Sequence, residues 1–273
     1  MSPRVVAVLS GGGAKAAAHL GAERALREAG LRPERYVGCS MGAVVAATLA
    51  LGEEPDSIQR RMLELGKRPI AVPDPLIAIL GVRRPALLKP APLRAAFEAF
   101  VAARRFQDLK HPLAVAVTDL QSGELVIFGD GGRDAPLIDV LMASCALPIY
   151  FPPVEIEGRR YVDGGVRSVV PLEAALHTKP DRIIAIDIGP GLEDREAARP
   201  SSLPALIRYH DDSTNVLMAE ATRLQHALWL ATPGLPPLTW VRPRMERDAT
   251  FATENIQKYA DEGYRAMKAA LAK

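Results

Sequence analysis

The feature that most restricts the folds open to this chain lies at its start. Val5-Val6-Ala7-Val8-Leu9 is an unbroken apolar run, and Gly11-Gly12-Gly13 follows it almost at once. A run with no polar alternation reads as a strand covered on both faces, which places it inside a sheet flanked by helices. The Ala-rich stretch after the glycines predicts a helix to about Ala29, with Gly30 as its stop. Tyr36–Cys39 then reads as a second strand, and Ser40 to about Leu51 as a second helix closed by Gly52. Strands alternating with helices in this way call for a mostly parallel sheet with helices on both sides, an α/β/α arrangement of three layers.

The rest of the chain continues the pattern. Residues 53–105 read as mainly helical, interrupted by a Pro-rich stretch between Pro69 and Pro92. Within it the apolar segment Ile70–Val82 reads either as a connector or as a lid over a pocket. Leu113–Thr118 and Glu124–Phe128 read as strands around Gln121-Ser122-Gly123, and Leu137–Cys145 as a helix. Phe151–Gly165 reads as a hairpin around Glu157-Gly158 that ends at Asp163-Gly164-Gly165. A short helix is expected from Leu172, a strand over Arg182–Ile188, a loop over Gly189–Pro204, and two closing helical regions, Ala205–Leu230 and Thr253–Leu271. The whole of 1–273 reads as one domain, with a motif-bearing core over about 5–190 and a helical part over about 205–273.

Composition removes several classes. With 48% hydrophobic and 24% charged residues the chain is neither disordered nor fibrous. A net charge of +2 gives no reason to expect nucleic acid as partner. Two cysteines, Cys39 and Cys145, make no disulfide framework and no zinc pattern, and no carboxylate cluster suggests a metal, so no metal or cofactor is expected. The apolar run at the start is too short for a signal-peptide core. The uncharged stretch Tyr36–Gly52 has 17 residues and falls short of a membrane span. The expected location is the cytoplasm, with peripheral membrane contact left open. Oligomeric state is not specified.

Three short motifs carry chemistry. Gly38-Cys39-Ser40-Met41-Gly42 fits G-x-S-x-G between a strand and a helix, where a sharp turn would present the Ser40 hydroxyl; the plain alternative is a helix N-cap. Gly11-Gly12-Gly13-Ala14-Lys15-Ala16 also joins a strand to a helix. It fits a dinucleotide fingerprint, but the acidic residue which that reading needs after the second strand is replaced by Ser40. The better reading is an oxyanion hole beside Ser40, with backbone N–H groups of Gly12, Gly13 and Ala14 as donors and Lys15 as a structural residue. Asp163 stands at a strand end before Gly164 and Gly165. It is the candidate base for Ser40, with Asp119 as rival, because none of His19, His111, His177, His210 and His226 stands in a strand-end loop after a carboxylate.

Taken together and in order, these motifs resemble the patatin-like phospholipases in their small bacterial single-domain form. The segments Ala143-Ser144-Cys145-Ala146-Leu147-Pro148, Phe151-Pro152-Pro153 and Tyr161-Val162-Asp163-Gly164-Gly165 are especially similar, as is Thr118-Asp119-Leu120 with Gly123-Glu124. The likeness covers about Val5–Gly189 and, more weakly, the last helix around Gly263-Tyr264. It implies a serine lipid acyl hydrolase of phospholipase A or esterase type. Ser40 would be the nucleophile and Asp163 its base, in a dyad without histidine. Gly11, Lys15, Gly38, Gly42, Gly164 and Gly165 would support the motifs, and a lipid or other acyl ester would be the substrate. Family members commonly carry Arg and Gly where this chain has Lys15 and Ala16. That departure supports the alternative of a catalytically weak member with a regulatory or lipid-binding role.

Overall fold

Side-chain alternation along the first strand decides the architecture. Val5, Ala7 and Leu9 join one apolar cluster, while Val6 and Val8 join another on the opposite face. Both faces of the sheet are therefore buried. The computed structural model describes residues 4–194, 204–245 and 253–272. Its strands are β1 (Val5–Leu9), β2 (Arg35–Cys39), β3 (Leu113–Asp119), β4 (Leu125–Gly129), β5 (Val154–Ile156), β6 (Arg159–Asp163), β7 (Arg182–Ile186) and β8 (Leu238–Val241). Its helices are α1 (Ala17–Glu28), α2 (Met41–Ala50), α3 (Pro55–Gly66), α4 (Ile77–Leu80), α5 (Pro90–Phe100), α6 (Leu137–Ser144), α7 (Leu172–Ala175), α8 (Ala205–Ala231) and α9 (Ile256–Leu271).

The strands form one sheet in the order β5-β6-β3-β2-β1-β7-β8, with β4 also paired to β3. The five strands β3, β2, β1, β7 and β8 run parallel, while β4, β6 and β5 add antiparallel pairs at one side. One face packs on residues of α1, α2, α3, α5, α6 and α9. The other is covered by Leu172, Ala174 and Ala175 of α7 and by Trp229 of α8. This is the expected three-layer α/β/α arrangement.

Three local features differ from the sequence reading. The glycine-rich loop enters its helix through a 3-10 turn, Gly13–Ala16, before α1 begins. An eighth strand, β8, extends the sheet beside β7 where no strand was expected. It is four residues long and lies between Pro237 and Pro243, which gave it the look of a loop. The Pro-rich interruption is an ordered strap. Asp74 N–H donates to the Leu87 carbonyl (2.9 Å) and Lys89 N–H to that of Val72 (2.9 Å). Leu87 and Leu88 in turn donate to the carbonyls of Ile149 and Tyr150 (2.8 and 2.9 Å). Part of the expected 189–204 loop lies outside the described residues.

The last helix is held against the first by absent side chains. A Cβ on Gly21 of α1 would lie 1.8 Å from the Ala260 carbonyl oxygen, and one on Gly263 of α9 1.9 Å from that of Ala18. The two backbones approach too closely for any residue but glycine at either point. Gly21→Ala is expected to destabilise the protein by about 2–3 kcal/mol through forced separation of the pair. Urea unfolding of the variant checks this, and an unchanged midpoint would contradict the close-packing account.

Candidate active site

The sheet brings the carboxyl ends of β1 and β2 side by side, and two of the three motifs leave from there. Between β2 and α2 the chain turns at Ser40, whose φ of 51° and ψ of −133° place a non-glycine residue in a strained region. The flanking glycines permit the turn by clearance. A Cβ on Gly38 would lie 2.4 Å from Cα of Ala43, and one on Gly42 2.3 Å from the Ser10 carbonyl oxygen. The hydroxyl is therefore pushed out beyond the strand end, which is where the G-x-S-x-G pattern placed it.

Asp163 reaches the same point from the end of β6. The Ser40 hydroxyl donates to Asp163 Oδ2 at 2.7 Å. Asp163 Oδ1 accepts from the Gly165 backbone N–H at 2.7 Å and faces the Cys39 thiol at 3.9 Å. The position of β6 is fixed by Thr118, whose hydroxyl donates to the Asp163 carbonyl at 2.9 Å. Gly164 is needed for approach, since a Cβ there would sit 2.4 Å from the Ala116 carbonyl oxygen. Asp163 is only 4% exposed. Burial pushes its carboxyl from 3.8 up to about 6, against the opposing hydrogen bonds from Ser40, Gly165 and Cys39.

The glycine-rich loop completes the wall opposite. A Cβ on Gly11 would stand 3.2 Å from that of Ser40, so the loop lies directly against the turn. Gly12 leaves no room for a side chain beside Ile188, with the Ile188 carbonyl oxygen 2.7 Å from its virtual Cβ. Gly13 takes a left-handed φ of 59°. The first N–H groups of a helix have no acceptor within it, and those of Gly13 and Ala14 open this 3-10 turn. Gly11, Gly12, Gly13, Ala14, Ser40 and Asp163 all line one cleft of about 230 Å³. Ala16 has a φ of −55°, so alanine in place of glycine there carries no strain. Lys15 is buried in the same turn, with 3% of its surface exposed.

The other candidates fall elsewhere. Asp119 accepts from Arg159 Nε at 2.6 Å and from the N–H groups of Gln121 and Ser122 at 2.8 and 3.2 Å. The Arg159 guanidinium keeps its carboxyl below the usual range, as befits a residue holding a turn. His19 is fully buried, with Nε2 3.0 Å from the Ser10 carbonyl, which can only accept, so Nε2 carries the proton. Burial lowers its pKa to about 4. No histidine is among the described residues that line the cleft.

Sequence reasoning passed over Ser144. Its hydroxyl donates to the Ala116 carbonyl and accepts from the Ser40 backbone N–H, both at 2.8 Å. It thereby ties the strained turn to β3 and α6. The available signal was one small polar residue closing the otherwise apolar face of Leu137–Ser144. The apolar wall of the cleft, including Met41, Leu93, Phe97, Leu147, Phe151 and Met218, gathers residues from three helices and a loop that no local pattern connects. Among the described residues no group of His, Cys, Asp and Glu is arranged to hold a metal, and no helix is long and apolar enough to cross a membrane.

Comparison with known proteins bears on the family and the fold. The family model described as "Patatin-like phospholipase" matches residues 7–176. The NTE family protein Rv1063c of Mycobacterium tuberculosis is 33% identical over 188 residues, covering 68% of this chain and 49% of that protein. YqhO of Bacillus subtilis is 29% identical over 215 residues, covering 71% of this chain and 72% of that protein. Human patatin-like phospholipase domain-containing protein 6 is 27% identical over 187 residues, covering 68% of this chain and 13% of that protein. The chain thus spans about half the length of its mycobacterial relative. Among solved structures, VipD from Legionella pneumophila superposes with a TM-score of 0.52 at 16% identity, over 100% of this chain and 67% of that one. Human GIVD cytosolic phospholipase A2 gives 0.50 at 12% identity, over 99% of this chain and 60% of that one. The fold is shared with these proteins, and the family match spans more than half of the chain: this protein belongs to the patatin-like phospholipase family.

Proposed function

We propose that this chain is a serine lipid acyl hydrolase in which Ser40 and Asp163 form the whole catalytic dyad. The observation that carries the reading is the 2.7 Å hydrogen bond from the Ser40 hydroxyl to a buried carboxylate, at the floor of an apolar cleft. A carboxylate of ordinary pKa is a poor base toward a serine hydroxyl. Burial raises that of Asp163 to about 6, which improves the match while leaving the base ionised at neutral pH. In the first step the Ser40 oxygen attacks the acyl carbonyl carbon as its proton passes to Asp163. The negative charge that develops on the carbonyl oxygen is held by N–H groups of Gly12, Gly13 and Ala14, each good donor contributing about 3–4 kcal/mol. Collapse expels the alcohol, which takes the proton from Asp163, and leaves an acyl ester on Ser40. Water, deprotonated by the same carboxylate, then releases the fatty acid and restores the hydroxyl. The apolar wall opposite the dyad fits the alkyl part of a lipid or other long-chain ester.

Asp119 has no part in this scheme. Intact-mass labelling with a fluorophosphonate should give one adduct on the wild type and none on Ser40→Ala. Asp163→Asn should label about 10²–10⁴-fold more slowly. Asp119→Asn should stay within about threefold of the wild type; full reactivity of Asp163→Asn, or a collapse in Asp119→Asn, would reverse the assignment of the base. For the same reason kcat/KM should rise with pH and level off above about 6, the value to which burial raises Asp163. A limb near 4 would contradict a raised pKa.

The buried carboxyl also weakens the fold. The folded protein holds its proton up to about pH 6, whereas the unfolded chain releases it near 3.8. The folded state binds more protons between these values, so stability falls as pH rises through them. Asp163→Asn abolishes that titration. It is expected to be more stable than the wild type by about 3 kcal/mol above pH 6, with the advantage gone below about pH 4. Denaturant unfolding at both ends of the range measures it, and an advantage independent of pH would point to a different cause.

A further inference from the structure

Behind the cleft lies a second hollow of about 80 Å³. Its own walls are Val44 of α2, Met62 and Leu65 of α3, Ala96 and Phe100 of α5, and Ile256 of α9. Ala14, Met41, Ile70, Phe97 and Thr253 line both spaces, so the two adjoin one another. Two of those shared residues belong to the chemistry's own frame: Met41 follows Ser40 directly, and Ala14 ends the donor loop. The Thr253 hydroxyl is taken up by the Gly66 carbonyl at 3.2 Å. Among the described residues around the hollow none carries a charge. A space so lined favours an apolar guest over water.

We propose that this hollow seats the far end of the acyl chain and so sets the chain length the enzyme prefers. The inference rests on the acyl-hydrolase reading for the position of the ester. An acyl group attached at Ser40 has its alkyl part start in the cleft and pass Met41 and Phe97 into the hollow. An apolar cavity of about 150 Å³ holds one benzene, so 80 Å³ takes about three carbons and 230 Å³ about nine, part of which the reacting ester occupies. Chains of about eight to ten carbons fill both spaces. A shorter chain leaves the hollow empty, and a longer one meets Met62 and Phe100, which are 8% and 5% exposed. The uncharged wall also selects for a methyl end and against a second carboxylate.

Ala96, half-buried on α5, offers a way to fill the hollow without touching the dyad. With p-nitrophenyl esters of four to sixteen carbons, the wild type should peak near ten. Ala96→Phe should keep kcat/KM on the butyrate within about threefold and lose about 50-fold on the decanoate, since each seated methylene is worth about fourfold. Leu65→Ala, which enlarges the same space, should move the peak to longer chains. Equal losses on butyrate and decanoate in Ala96→Phe, or an unmoved profile in both variants, would overturn the proposal. A wild type that hydrolyses no ester would sink the acyl-hydrolase reading instead. The hollow is then tested alone, by calorimetry of 2-undecanone and 2-pentanone on Ser40→Ala protein. Ala96→Phe in that background should weaken 2-undecanone about 50-fold and leave 2-pentanone unchanged; equal binding of 2-undecanone with and without it would overturn the inference.

Discussion

The proposed chemistry depends on one contact, the hydrogen bond between the Ser40 hydroxyl and the Asp163 carboxylate. A carboxylate taken out of water is costly, and among the described residues Ser40, the Gly165 N–H and the Cys39 thiol are what faces it. The result is a group ionised less readily than an exposed aspartate. The fold tolerates this because the groups that hold Asp163 are fixed before any substrate arrives. Thr118 grips its carbonyl, and Gly164 lets β6 close on β3. Preorganised polar groups in a dry site stabilise developing charge without rearrangement.

The strained turn at Ser40 is held in the same manner from the other side. Its N–H is met by Ser144, which itself hangs on the Ala116 carbonyl of β3. Its neighbours Gly38 and Gly42 are in contact with the backbones of α2 and of β1's exit. The loop beyond β1 is anchored in turn by Ser10, whose hydroxyl accepts from the Ile188 N–H at 2.8 Å and whose carbonyl accepts from His19. Three strand ends thus meet at the proposed reacting centre. The rigid parallel sheet sets the distances, and glycine is used where two backbones must nearly touch.

Much of this was legible in the sequence, because it depends on local pattern. The apolar Val5–Leu9 run, the two glycine motifs and the Glu157-Gly158 hairpin each declare their geometry within a few residues. The order of the motifs brought Asp163 to Ser40 through resemblance, where spacing alone left Asp119 as a rival. What stayed hidden depends on contacts between distant segments. The strand Leu238–Val241 is short and bracketed by prolines, and it is a strand because β7 offers it an open edge. The role of Ser144 is visible only once α6 lies beside the turn, and the strap from Val72 to Lys89 only once its two arms pair. The hollow behind Phe97 belongs to no single element.

The proposed chemistry requires the raised proton affinity of Asp163. That quantity can be read directly from the side-chain carboxyl resonance of protein labelled with ¹³C at aspartate, assigned by its loss in Asp163→Asn and followed with pH. A midpoint near 6 in the wild type, the value to which burial raises this carboxyl, is the expected result. A midpoint near the ordinary 3.8 would contradict the raised proton affinity on which the proposed dyad depends.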